Sequence, residues 1–195
     1  MKKRIYILNG HPAESSLSKI FAETYAKTAR AAGHEVRLSH LRDFQFDSDF
    51  GHSSFNKAKP LEPSLEKLLL DIEWSEHMVL TSPLWWGGLP AKLKGAIDRA
   101  FLPGRTFDTR VKDGTFPKPL LSGRSARVII TSDTPNWYLH IFYRNAIFQQ
   151  LKKQILGFVG LKPSRFTHFS GASNAKPKDI ARWVSKIEKI AATAK

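Results

Sequence analysis

The run Arg4-Ile5-Tyr6-Ile7-Leu8-Asn9 is continuously apolar and stops at Gly10-His11-Pro12. Similar runs recur at 77–81 and 125–132, and helix-period segments lie between them. A run without polar alternation is the mark of a strand buried on both faces, which happens when helices cross over from one parallel strand to the next. That alternation limits the chain to a sheet-centred α/β architecture. Glu35–His40 and Arg165–Phe169 supply two further strands of more mixed polarity, making five in all.

The helices follow from spacing. Leu17, Ile20, Phe21, Thr24, Tyr25 and Thr28 recur at intervals of three and four, and Gly33 closes the segment where a C-terminal glycine is expected. Residues 65–74 form the next helix. Pro90 opens another over 91–101, at the one turn where proline is tolerated. Residues 138–158 hold a long helical segment, and Ile180, Val184, Ile187 and Ala191 stripe a closing helix. The segments 42–62 and 102–120 are surface excursions. At 195 residues, against about 150 per domain, one domain over 1–195 is expected.

Several chemistries are excluded by composition and spacing. There is no cysteine, so disulfides, thiolate catalysis, iron–sulfur clusters and Cys-type zinc sites are ruled out. The histidines form no i,i+4 pair and no HExxH, so no metal site is expected. No GxSxG elbow marks a hydrolase. The apolar stretch after Met1-Lys2-Lys3-Arg4 is too short for a signal peptide, and no run would cross a membrane. A soluble cytoplasmic protein without membrane insertion is expected. The net charge of +14 is spread along the chain without a nucleic-acid-binding motif. It suits a solvated basic surface that attracts an anionic small ligand.

In such sheets ligands lie beyond the C-terminal strand ends, which selects loops 9–18, 82–90 and 132–138. In the first, His11, Ser15, Ser16, Leu17 and Ser18 stand at a helix N-terminus, where free N–H groups and the dipole favour an anion. Plain serine capping is the alternative. It is neither a Walker loop nor a GxGxxG fingerprint. The second, Pro83-Leu84-Trp85-Trp86-Gly87-Gly88, combines flat apolar surface with glycines that let backbone amides approach a planar ligand. That combination suits a flavin ring; tryptophans packed under a loop or at a dimer contact are the alternative. The third, Thr131-Ser132-Asp133-Thr134, is a short polar cluster that suits the ring's other edge or an ordinary turn.

GHPAESSLS, TSPLWWGGLPAKLKGAIDRAFLPG and TSDTPNWY together resemble the flavodoxin-like NAD(P)H:quinone oxidoreductases, the family of DT-diaphorase and the bacterial NAD(P)H dehydrogenases (quinone). The likeness runs from about Arg4 to Ile190, and its most specific part is Pro83 to Arg99. It implies a doubly wound sheet of order 2-1-3-4-5 with helices on both faces. It also implies a homodimer that carries FMN (alternatively FAD) and passes a hydride from NAD(P)H through the flavin to a quinone or similar acceptor by ping-pong chemistry. The rival is a flavodoxin-like electron carrier or regulatory subunit with no substrate of its own. The resemblance assigns phosphate binding to His11, Ser16, Leu17 and Ser18. Isoalloxazine contacts fall to Pro83, Leu84, Trp85, Trp86 and Gly87 and to Thr131, Ser132, Asp133 and Thr134, and proton transfer to Tyr138 and His140.

Overall fold

A computed structural model describes residues 2–51, 54, 58–110 and 116–194. The chain runs β1 (Arg4–Asn9), α1 (Leu17–Ala31), β2 (Glu35–His40), α2 (Pro63–Trp74), β3 (His77–Pro83), α3 (Ala91–Ala100), β4 (Phe107–Asp108) and β5 (Lys118–Pro119). It continues through β6 (Arg124–Ser132), α4 (Asn136–Ile141), α5 (Ala146–Gln149), a π-helical turn (Gln150–Leu156), α6 (Gly157–Val159), β7 (Leu161–Ser170) and α7 (Pro177–Thr193). Five parallel strands form the main sheet in the order β2-β1-β3-β6-β7. The expected order 2-1-3-4-5 numbered only the five sheet strands. The second excursion also holds β4 and β5, which pair antiparallel as a small separate sheet.

The pleat sorts the core into two layers, because successive strand residues point to opposite faces. Ile5, Ile7, Val79 and Ile129 face α1 and α7, where they meet Phe21, Tyr25, Trp183 and Ile187. Tyr6, Leu8, Leu80, Val128 and Ile130 face α2, α3 and the π-turn, meeting Leu65, Leu68, Leu93 and Leu151. Every residue of β3 is buried, His77, Thr81 and Ser82 included, as a central strand covered on both faces requires. On α1 the buried face is Ser18, Phe21, Ala22, Tyr25, Ala26 and Ala29, while Ile20 of the expected stripe is 41% exposed.

The long helical segment expected within 138–158 is broken. Arg144 and Asn145 adopt left-handed backbone, φ 47° and 55°, and separate α4 from α5. The first excursion is fastened to α3: a Cβ built on Gly95 would lie 2.9 Å from Ser48 Cβ, so only glycine allows this contact. Among the described residues no helix is long and apolar enough to cross a membrane.

Candidate functional site: two adjoining cavities at the strand ends

The ends of β1, β3 and β6 surround a cavity of about 240 Å³ lined by His11, Ser15, Ser16, Leu17, Ser18, Pro83, Leu84, Trp85, Thr131, Ser132, Asp133, Ala172 and Ser173. All four residues expected at the phosphate turn stand together here. Gly10 makes the turn possible: its N–H bonds Thr81 O at 2.7 Å, and a Cβ there would strike Leu93 Cδ2 at 2.6 Å. Ser16 caps α1 by accepting from Lys19 N at 3.1 Å, so the capping alternative holds for that side chain. The N–H groups of Leu17 and Ser18 have no partner within the helix, as in any first turn.

Ser18 Oγ is buried without a hydrogen-bond partner. A buried hydroxyl costs about 1–3 kcal/mol when left unpaired, so this one is suited to a ligand oxygen. His11 Nδ1 accepts from Ala13 N at 3.0 Å, which leaves Nε2 to carry the hydrogen as a donor. Partial burial holds the His11 pKa below its usual value, favouring the neutral ring. The donors fit the phosphate of a flavin mononucleotide.

The loop after β3 separates the two tryptophans. Trp85 and Gly88 exchange backbone hydrogen bonds, each 2.9 Å, around a tight turn with Trp86 at φ 49° and Gly87 at φ 74°. Positive φ at both central positions is the type I′ pattern. Trp85 meets His11 edge-on, 5.4 Å between centroids, in the first cavity. Trp86 is fully exposed, and holding so bulky a residue in left-handed backbone costs of order 1–3 kcal/mol.

Trp86 lines a second, larger cavity of about 530 Å³ with Leu84, Gly87, Thr134, Leu139, Tyr143, Ala146 and Ile147. Leu84 belongs to both cavities. Thr134 lies here, apart from Thr131, Ser132 and Asp133.

Asp133 lines the first cavity, but both its oxygens are engaged by Ser173, from the backbone N–H and the hydroxyl, each at 2.7 Å. Those bonds hold its carboxyl below the usual range. Ser132 Oγ lies 2.8 Å from His168 Nε2.

Tyr138 and His140 line neither cavity. Tyr138 stacks on Phe142, 4.6 Å between centroids, and exposed His140 pairs with Asn145 at 2.8 Å. On α4 Leu139 is the inward residue, and its sequence neighbours are turned about 100° to either side. Tyr143 reaches the cavity instead, one helical turn beyond Leu139. Ala172 and Ser173 were missed although they follow the fifth sheet strand, where the strand-end rule applies equally. Tyr143, Ala146 and Ile147 arrive through the break at Arg144–Asn145, which leaves no clear trace in the sequence.

Comparison with known proteins agrees with this architecture. A ribosyldihydronicotinamide dehydrogenase-like protein of Penicillium crustosum is 26% identical over 66% of this chain and 57% of its own. An FMN-dependent NADH:quinone oxidoreductase of Polaromonas naphthalenivorans is 25% identical over 99% of this chain and 94% of its own. Of three curated relatives the chain spans only 57%, 56% and 28% of the length. The solved NAD(P)H:quinone oxidoreductase of Methanothermobacter marburgensis superposes with a TM-score of 0.81 at 19% identity, covering 99% of this chain and 96% of that one. With residues 3–191 matching it, the chain belongs to the family described as having a flavodoxin-like fold.

Proposed function

We propose that the protein is an FMN-dependent oxidoreductase that transfers two electrons from NAD(P)H to a quinone or similar acceptor in ping-pong fashion. One observation carries this reading: a cavity with phosphate-type donors adjoins a larger aromatic one across Leu84. A carrier that only holds flavin has no use for the second space, whose volume of about 530 Å³ is that of a small-ligand pocket. The relatives' names point the same way, one of them being FMN-dependent and acting on NADH and quinone.

His11, Ser16, Ser18 and the first-turn N–H groups of α1 hold the phosphate. Pro83, Leu84, Trp85 and Gly87 with Thr131, Ser132 and Asp133 orient the ring. When bound, the flavin supplies the hydride chemistry. Trp86, Leu139 and Tyr143 wall the space where nicotinamide and acceptor take turns. Tyr143 lines that space and would hold a proton at the acceptor oxygen, whereas Tyr138 and His140 line neither cavity.

Trp86, Trp137, Ile141, Phe142 and Tyr143 are all exposed beside this space, so the reading includes a homodimer in which a second copy covers them. The test is an absorbance spectrum of FMN-loaded protein under anaerobic NADPH, NADH and then menadione. Bleaching by a nicotinamide and recovery with the quinone are expected. A flavin band that ignores both nicotinamides would leave the carrier reading, and a protein that takes up no flavin would remove both.

A further inference from the structure

Behind the first cavity, Ser132, His168 and Asn136 form a connected chain that the reading above does not use. Ser132 is 7% exposed, lines the cavity, and lies 2.8 Å from His168 Nε2. His168 Nδ1 meets Asn136 Oδ1 on the far side. The three residues come from β6, β7 and the start of α4, so tertiary structure alone assembles them.

The hydrogen-bond inventory fixes how the chain works. A carbonyl oxygen such as Asn136 Oδ1 only accepts, so His168 Nδ1 carries a hydrogen in every state. The neutral ring then accepts the Ser132 hydroxyl at Nε2. In the charged ring Nε2–H donates to Ser132 Oγ, and the hydroxyl hydrogen turns to Thr134 O, 3.3 Å away. Both charge states are satisfied with the same heavy-atom positions.

The surroundings are tuned for a neutral resting state. Burial alone pulls the His168 pKa below its ordinary value. The groups facing the ring are Ser132 from β6, Asn136 from α4 and Phe148 from α5, its ring centroid 5.9 Å away, and none of them is charged. Asp133, next to Ser132, is occupied by Ser173. The chain has no acidic residue between Asp133 and Asp179. Negative charge that develops in the adjoining cavity therefore has an uncompensated base to act on, and it favours the charged imidazole.

We propose that Ser132 and His168 form a proton relay opening into the cofactor cavity, with Asn136 holding the ring's tautomer and His168 storing the proton that accompanies two-electron transfer. The proposal rests on the oxidoreductase reading. NAD(P)H gives up a hydride, two electrons and one proton, and a quinone needs one further proton to become the hydroquinone. His168 takes that proton at Nε2, by way of the Ser132 hydroxyl facing the cavity, as electrons reach it. It then breaks its Nε2–H bond toward Ser132 Oγ while the Ser132 hydroxyl proton turns from Thr134 O and leaves into the cofactor cavity, from which it follows the electrons to the acceptor. The neutral ring, with Nδ1–H still on Asn136, is restored.

The experiment uses FMN-loaded protein. In a two-electron couple each coupled proton moves the midpoint potential by about 30 mV per pH unit. The wild type is expected to show that extra slope over a defined pH interval. His168→Gln loses it, Ser132→Ala keeps it because a midpoint potential counts protons and not their route, and Asn136→Asp moves the interval to higher pH. Nitrogen NMR of the wild type, which needs no variant to fold, should show His168 neutral in the oxidised protein and imidazolium after anaerobic reduction at the same pH. A flavin that binds and reduces while His168 stays neutral, or a slope unchanged in His168→Gln, overturns the relay and leaves the oxidoreductase reading standing. Protein that retains no flavin overturns both.

Discussion

Arg99 of α3 and Glu62, 37 residues earlier in the chain, meet in a forked ion pair, Nη1 to Oε1 at 3.2 Å and Nη2 to Oε2 at 3.1 Å. The arginine is completely buried and also donates to the carbonyls of Asp47 and Pro60. One side chain thus ties the excursion after β2 to the helix that follows the tryptophan loop. The Gly95–Ser48 contact lies one helical turn away on the same helix. Two residues of the motif that carries the family resemblance, Gly95 and Arg99, therefore serve the support of the site rather than its chemistry.

Removing that support should be costly. Arg99→Met leaves the Glu62 carboxylate and two carbonyls without their partner, and a buried pair broken on one side costs about 3–5 kcal/mol. Because the Glu62 side chain keeps 28% exposure, a loss near 3 kcal/mol is expected in urea unfolding. Limited proteolysis should cut the variant first in the excursion; identical digestion patterns would contradict the anchoring role.

Gly10→Ala places a methyl group 2.6 Å from Leu93 Cδ2 and 3.1 Å from Thr81 O. Overpacking of this kind costs about 1–3 kcal/mol. The turn carrying His11 must shift, so FMN affinity should fall together with the melting temperature. A variant with weaker stability and undiminished FMN binding would separate the turn from the site.

Trp86 offers the opposite trade. Asparagine tolerates the left-handed conformation that strains tryptophan, so Trp86→Asn should raise stability by about 1 kcal/mol. The same change removes a wall of the larger cavity and should weaken retention of flavin and acceptor, as Trp86→Ala should also do. Differential scanning calorimetry paired with a flavin titration reads both effects; a drop in melting temperature would mean that the indole packs usefully in the free protein.

Acid should destabilise the fold through His77. Burial, reinforced by the positive charges of Lys3, Arg127, His34 and Arg165, lowers its pKa from 6.5 to about 3. Its neutral ring pairs with Tyr25 at 3.2 Å and Ser125 at 2.8 Å. The unfolded chain binds a proton at its ordinary pKa and the folded chain does not. Stability from this group is therefore complete above about pH 6.5 and declines as pH falls toward 3, by up to about 1.4 kcal/mol per unit. Urea midpoints at neutral and mildly acidic pH should differ in the wild type and differ less in His77→Gln, where His11 and His168 still contribute.

The central strands were legible because their burial on both faces leaves no polar alternation, and the cavity-lining loops because they follow those strands. The edge strand β7 was expected at 165–169 and spans Leu161–Ser170, since exposed residues such as Lys162 and Arg165 mask an edge strand's pattern. The cavity-lining turn after β1 was legible from its serines, whereas the lining from Leu139 to Ile147 was not. That lining depends on left-handed Arg144 and on Asn145, and arginine gives no local signal for such a conformation. His168 drew no attention in the sequence because its partners Ser132 and Asn136 lie 36 and 32 residues away.

The Asp133–Ser173 clamp gives the two sides of the sheet different opening behaviour. β7 is an edge strand, free to fray from β6, yet the loop that follows it is bolted by two hydrogen bonds to a carboxylate in the cavity wall. Fraying at that end must therefore dismantle the wall, and a ligand filling the cavity resists it. Amide hydrogens of Thr167–Ser170 and Ser173 should exchange more slowly as one cooperative unit when FMN is added, while those of β2, at the opposite edge, keep their own rate.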